Sequence, residues 1–174
     1  METAMMGAQL PLDADTAVAG LYREHRLHLV RLALLLVDDR ETAEDVVQDA
    51  FVALHRRWRS IGAPEAAVGY LRTSVVNGSR SVLRRRRTAR AYQWPDVANA
   101  DAADAGALDA EAHREVLAAL RRLHRRQREV IVLRYWAELP EAEIAATLGI
   151  SVGAVKSSAS RGRDAIATML GGER

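Results

Sequence analysis

One stretch of the sequence carries hydrogen-bond donors at a spacing suited to contacts with a nucleic acid. It follows Ser151, where we predict a helix with polar and basic side chains on the positions that face away from the core. Such side chains donate to base edges and phosphates when a helix lies in the major groove of DNA. The candidate DNA-reading residues are Lys156, Ser157, Ser160, Arg161 and Arg163.

The sequence around these residues predicts a helix-turn-helix over 141–170. Ala145 is small at the point where the two helices would cross, and Gly149 supplies the positive φ that the turn favours. Ser151 can cap the second helix through its hydroxyl, and Val155 packs back against the first. This combination favours DNA binding over a purely structural helical hairpin.

Charge alternates along the chain, although the net charge is only +2. Residues 2–55 contain ten acids and four arginines, whereas residues 56–90 contain ten arginines and one acid. Residues 91–112 contain five acids and no base, and the remainder contains eleven bases and seven acids. The two basic blocks suggest two contacts with a polyanion, and the acidic first block suggests a different kind of partner. The alternative is solvated helix faces in an arginine-rich protein.

The amino-acid composition limits which fold classes and which kinds of activity are possible for this chain. The chain is 49% hydrophobic but only 5% aromatic, and its abundant Ala, Leu, Arg and Glu predict an all-α protein. It has no cysteine, no evident signal peptide and no apolar run long enough to span a bilayer, so we expect a soluble, cytoplasmic protein. His25 and His28 lack a third metal ligand, and no catalytic constellation has workable spacing. We therefore expect no metal, no cofactor and no enzyme activity.

Apolar spacing divides the chain into two small helical domains joined by a flexible linker. Helices are predicted over about 15–37, from a capping box of Asp38 and Glu41 to Trp58, and from Pro64 into the arginine run that ends at Arg87. The predicted boundaries are 14–90 for the first domain, 91–109 for the acidic linker and 110–171 for the helix-turn-helix domain.

Three ordered blocks of this sequence resemble those of one protein family. AEDVVQDAFVALHRRW at 43–58 resembles region 2.2 of the extracytoplasmic-function (ECF) sigma factors, a group within the sigma-70 family. YLRTSVVNGSRSVLRRRR at 70–87 resembles their regions 2.3 and 2.4, and the segment 120–166 resembles their region 4. The chain is most similar to the sigma-E-like actinobacterial branch.

The resemblance implies a specificity subunit of RNA polymerase that recognises the −10 and −35 promoter elements. The first domain would then bind the β′ clamp helices of the polymerase core, melt the −10 element and hold a flipped base. The implied polymerase contacts are Asp45, Gln48, Asp49 and Phe51, and the implied −10 contacts are Tyr70, Arg72, Asn77, Arg80, Arg84 and Arg85.

The remaining implications concern the second half of the chain and its partners. The first helices of region 4 would bind the β flap, and the reading residues after Ser151 would contact the −35 element. An anti-sigma factor is a possible further partner. Four positions depart from the family pattern. A basic residue is frequent at Ser158, an aliphatic or aromatic residue is frequent near Ser160, and many relatives have Ser at Pro140, whereas Gly162 costs a helix about 0.5–1 kcal/mol relative to Ala. The alternative function is an autonomous helix-turn-helix regulator with an N-terminal dimerisation or sensor bundle.

Overall fold

The computed structural model describes residues 13–61, 63–90 and 107–171, and every regular element within them is helical. The predicted all-α class is therefore confirmed for the described residues. The predicted linker lies outside them except at its end, because a helix already begins at Ala107. The elements are α1 (Ala14–Val37), α2 (Arg40–Ile61), α3 (Pro64–Arg90), α4 (Ala107–Arg122), α5 (Arg125–Ile131), a π-helical turn (Val132–Trp136), α6 (Glu141–Leu148) and α7 (Val152–Gly171).

Two consecutive aspartates form the turn between α1 and α2: Asp38 ends α1, and Asp39 caps α2. Asp38 ends α1 in the left-handed conformation with φ of 77°. Asp39, rather than Asp38, caps α2, because its Oδ1 accepts the backbone N–H of Thr42 at 2.9 Å. The predicted capping box of Asp38 and Glu41 is therefore wrong by one residue: the left-handed bend turns Asp38 away from the start of α2.

Arg86 ties α3 to the same corner. Its guanidinium donates to Oδ2 of Asp39 at 2.7 Å and to the hydroxyl of Thr42 at 2.5 Å. Burial raises the pKa of Asp39, but the hydrogen bonds from Thr42 and Arg86 outweigh it and hold that pKa below its ordinary value. Helices α1, α2 and α3 thus form one bundle, which we call the N-terminal bundle.

Helices α4 to α7 and the π-turn form a second group, which we call the C-terminal bundle. Its long helix α7 crosses α5 closely at Gly162, where an added Cβ would lie 2.8 Å from Cγ1 of Ile131. The glycine that seemed costly for a helix is therefore required by the crossing. Ser158, another position that departs from the family pattern, is buried with 4% exposure.

The two bundles are in contact, and their buried apolar residues form a continuous cluster. Leu32 and Val76 of the N-terminal bundle belong to the same cluster as Leu133 and Ile144 of the C-terminal bundle. Burial of apolar side chains is the main favourable contribution to folding, so this shared cluster stabilises the bundles together. Within the described residues, no helix is both long and apolar enough to cross a membrane.

Candidate nucleic-acid interface

The helix-turn-helix predicted over 141–170 is present as α6, a tight turn and α7. Gly149 adopts φ of 65°, and its N–H reaches the carbonyls at the end of α6. The hydroxyl of Ser151 accepts the N–H of Ala154 at 3.1 Å, which caps α7. Ala145 and Val155 are buried where the helices meet. Each local feature expected of the motif is confirmed.

Helix α7 separates a buried face from an exposed one. Val155, Ser158, Ala159 and Gly162 are buried, at the spacing that places residues on one face of a helix. The five predicted −35 contacts are all exposed, and they follow the complementary spacing along the same helix. These residues are Lys156, Ser157, Ser160, Arg161 and Arg163. The structure thus brings them together on one accessible surface.

The reading side chains are held by contacts within the C-terminal bundle. Nζ of Lys156 lies 3.7 Å from Oε2 of Glu141, whose Oε1 accepts from Arg134 at 2.7 Å. Arg161 donates to both the carbonyl and the hydroxyl oxygen of Ser157, at 3.2 and 3.3 Å. The contacts of Lys156 and Arg161 are exposed and therefore weak, so DNA phosphates and base edges can replace them.

The predicted −10 contacts lie along α3 in two environments. Asn77, Arg84 and Arg85 are exposed, whereas Tyr70 is half-buried and packs against the core cluster. Oδ1 of Asn77 accepts from Arg80 at 3.5 Å. This side of α3 therefore presents an amide beside guanidinium groups, a set that can bind a base edge and backbone phosphates.

The other two predicted −10 residues contact the C-terminal bundle. Arg80 donates through Nε and Nη2 to both carboxylate oxygens of Glu129, at 2.7 and 2.8 Å. Glu129 is buried with 3% exposure, and its carboxylate raises the pKa of Arg80 above its ordinary value. Arg72 lies 3.8 Å from Glu143 on α6. Part of the predicted −10 surface is therefore covered in this arrangement.

The predicted polymerase contacts lie on α2, which packs against α1 and α3. Asp45, Gln48 and Asp49 are exposed. Phe51 is mostly buried, and its ring meets Tyr22 edge-on with centroids 5.0 Å apart. Gln48 and Phe51 nevertheless line one open groove. The exposed carboxylates on the same helix as this groove can pair with a basic partner.

Sequence reasoning missed the residues that join the two bundles. Arg128 donates to the carbonyl of Leu35 at 2.7 Å and to Asp38 at 2.5 Å, across 93 and 90 positions of sequence. Glu129 and Arg80 are 49 positions apart. Residue spacing along the chain does not indicate such distant pairs. The one sequence feature that points to a buried ion pair is Glu129, an acid placed among arginines and apolar residues. His25 and His28 belong to no group of three or more metal-ligand side chains within the described residues.

Sequence comparison assigns both halves of the chain to models of one family. Residues 21–89 match sigma-70 region 2, and residues 113–166 match sigma-70 region 4. The chain is 35% identical over 134 residues to the RNA polymerase sigma-E factor of Streptomyces avermitilis, covering 76% of this chain and 73% of that protein. It is 34% identical over 151 residues to the ECF RNA polymerase sigma factor SigM of Mycobacterium tuberculosis, covering 87% and 76%.

The fold of this chain is also similar to that of two solved structures. The sigma factor RpoE of Bartonella quintana, in complex with the anti-sigma factor NepR, has a TM-score of 0.70 and 26% identity, covering 89% of this chain and 99% of that chain. CnrH in complex with the cytosolic domain of CnrY has a TM-score of 0.67 and 27% identity, covering 94% and 98%.

Proposed function

The chain belongs to the ECF sigma factors of the sigma-70 family, and from this premise we propose how its two bundles divide the work of promoter-directed transcription initiation. Residues 14–90 act as region 2 and bind the polymerase core and the −10 element. Residues 110–171 act as region 4 and bind the −35 element, and residues 91–109 link the two. The observation that carries the proposal is that one chain matches both sigma-70 regions in the family order.

Region 4 reads the −35 element through the exposed face of α7. Lys156 lies near the start of this helix, which enters the major groove first and reaches base edges such as guanine O6 and N7. Ser157, Ser160, Arg161 and Arg163 lie on the same exposed surface and contact bases or phosphates. The buried Ser158 has no part in this readout.

Region 2 opens the −10 element through α3. The exposed amide of Asn77 recognises a base extruded from the duplex, and Tyr70 and Arg72 border the pocket that receives it. Arg80, Arg84 and Arg85 bind the backbone phosphates around that base. The exposed carboxylates Asp45 and Asp49, together with Gln48 and Phe51, bind the β′ clamp helices, and the first helices of region 4 bind the β flap.

The match of the N-terminal bundle to a sigma-70 region argues against the alternative function. An autonomous regulator would use the N-terminal bundle for dimerisation or sensing, whereas residues 21–89 match a sigma-70 region. We propose that the chain acts in the cytoplasm, has no catalytic activity of its own, and is held inactive by a protein of the anti-sigma class. That last proposal is supported by the similar sigma factor RpoE of Bartonella quintana, whose solved structure includes the anti-sigma factor NepR.

A pair of variants tests the division between the two elements. Asn77→Ala should impair promoter melting, measured with a fluorescent base analogue at −10, while leaving initial −35 binding nearly unchanged. Lys156→Ala should weaken −35 binding by about 1–3 kcal/mol, the contribution of one good base contact. Each variant is the control for the other, and both are assayed with core polymerase. Equal loss of both steps in Asn77→Ala would contradict the assigned roles, and failure of the wild type to support initiation would contradict the function.

A further inference from the structure

We infer that Glu141 is a positioning residue for the −35 readout: it holds the ammonium of Lys156 beside α6, so that this lysine favours base edges over phosphates. The inference rests on the proposed function, since it takes α7 as the helix that reads the −35 element. Glu141 is not among the proposed DNA contacts, and it acts through the side chain of Lys156.

Glu141 joins three successive elements of the C-terminal bundle. It is the first residue of α6. Its Oε1 accepts from Nη1 of Arg134 in the π-helical turn at 2.7 Å, and its Oε2 lies 3.7 Å from Nζ of Lys156 on α7. Only 27% of the Glu141 side chain is exposed, against 65% for Lys156. The carboxylate is therefore the more constrained partner of the pair.

Arg134 fixes the carboxylate in place. A separation of 2.7 Å is typical of a strong hydrogen bond between charged groups. Cζ of Arg134 also lies 5.9 Å from the centroid of the Tyr135 ring, so the guanidinium has a second contact on the neighbouring residue. With Oε1 held in this way, Oε2 has a defined position at the start of α6, and the ammonium of Lys156 is attracted to that position.

The carboxylate makes the lysine ammonium respond differently to a base and to a phosphate. Lysine carries a compact charge on a flexible stem, and a phosphate contact carries no sequence information, whereas a contact with guanine O6 and N7 does. The ammonium has three donors and lies 3.7 Å from Oε2, so it can donate to a base while it stays near the carboxylate. Glu141 repels a phosphate that approaches the same ammonium, because both are anions, but it does not repel a neutral base in this way.

Glu141 therefore has different effects on two kinds of complex. In a complex with unrelated DNA, it opposes the use of Lys156 as one more phosphate contact. In a complex with the correct −35 element, the ammonium meets a neutral base edge, and a side chain that is already placed loses less rotamer freedom on binding. We expect Glu141 to lower the affinity for unrelated DNA more than the affinity for the −35 element.

Glu141→Gln tests this role, because it keeps the shape of the side chain and removes its charge. The control is Glu138→Gln, which removes the same charge from an exposed position shortly before α6. Each full-length variant is bound to core polymerase and measured on two duplexes at several salt concentrations. One duplex carries the −35 sequence that the parent protein selects from a library randomised at −35. The other has a scrambled −35 sequence and the same −10 element.

We expect Glu141→Gln to bind the scrambled duplex about fivefold more tightly than the control does, and the selected duplex within about twofold of it. For the scrambled duplex, the slope of log affinity against log salt concentration should steepen by about one, because Lys156 then neutralises one more phosphate. Both differences should disappear in a Lys156→Met background, because Glu141 acts through this lysine.

The outcomes distinguish failure of this inference from failure of the proposed function. If the parent selects no −35 sequence from the library, α7 does not read this element and the proposed function is wrong. If the parent selects one, but the ratio of the two affinities in Glu141→Gln equals that of Glu138→Gln, Glu141 has no positioning role. A change in this ratio that persists in the Lys156→Met background would mean that the carboxylate acts on DNA directly, which would also overturn the inference.

Discussion

Replacing Gly162 by alanine should destabilise the protein, although alanine is ordinarily the better helix former. Gly162 is buried within α7, and a Cβ there would lie 2.8 Å from Cγ1 and 3.2 Å from Cδ1 of Ile131. Helix propensity alone favours the substitution by about 1 kcal/mol. Forcing a methyl group into a packed core costs about 1–3 kcal/mol, and the β-branched Ile131 has little freedom to move. We expect a net loss of about 1 kcal/mol.

The measurement is urea denaturation followed by far-UV circular dichroism, compared at constant slope. Gly69→Ala is the matched control, because Gly69 is exposed within α3 and nothing lies within 4 Å of its added Cβ. That variant should be stabilised by about 1 kcal/mol through helix propensity. The two glycine substitutions are therefore expected to have opposite signs.

A double-mutant cycle isolates the contact itself. Ile131→Ala removes the two atoms nearest to the new Cβ, so Gly162→Ala should cost less in that background than in the parent. If Gly162→Ala instead raises the urea midpoint as much as Gly69→Ala does, the close crossing of α5 and α7 does not constrain this position and the reasoning fails.

Two further predictions concern a helix cap and a histidine. Ser151→Ala removes the acceptor of the Ala154 N–H and should lower the free energy of unfolding by about 1 kcal/mol. Ser151→Asp keeps an acceptor at this position and should retain most of the stability of the parent. Equal losses in the two variants would exclude capping by Ser151. Burial and the charges of Arg72, His25 and Arg31 lower the pKa of His28, so the unfolded chain binds the proton more readily than the folded chain. The free energy of unfolding should therefore fall as pH drops below about 6.5. In urea titrations at pH 5.5 to 7.5, His28→Gln should weaken this dependence of the free energy of unfolding on pH. An unchanged slope in His28→Gln would exclude this histidine as its source.

The elements that sequence predicted well are those fixed by neighbours in the chain. The turn of the helix-turn-helix depends on Gly149, which adopts the positive φ, and on Ser151, whose acceptor lies three residues away. The start of α3 at Pro64 was likewise readable from the preference of proline for the first helical turn. The capping box failed because Asp38 and Asp39 are equivalent by type, and only the backbone conformation distinguishes them.

The contact between the bundles could not be predicted, for the opposite reason. The family resemblance implies a −10 contact for Arg80, and the sequence around this residue does not indicate a carboxylate partner. Its partner Glu129 is 49 residues distant, and the buried attachment of Arg128 spans 90 residues to Asp38. The assignment of site residues to the −10 and −35 elements remains a prediction that the experiments above test.

The π-helical turn Val132–Trp136 sets the rotation of α6 and α7 relative to α5 within region 4. The N–H of Ala137 donates to the carbonyl of Val132 at 3.2 Å, five positions back rather than four, so the turn holds one residue more than an α-helical turn. Since each α-helical residue advances by about 100°, that extra residue rotates everything after it by the same angle. Glu129 precedes the turn, whereas Arg134 lies in it. Arg134 pairs with Glu141, and Glu141 also pairs with Lys156 on α7. Deleting one residue here would turn α6 and α7 by about 100° relative to α5, and it would also disturb the buried packing of Val132 and Leu133.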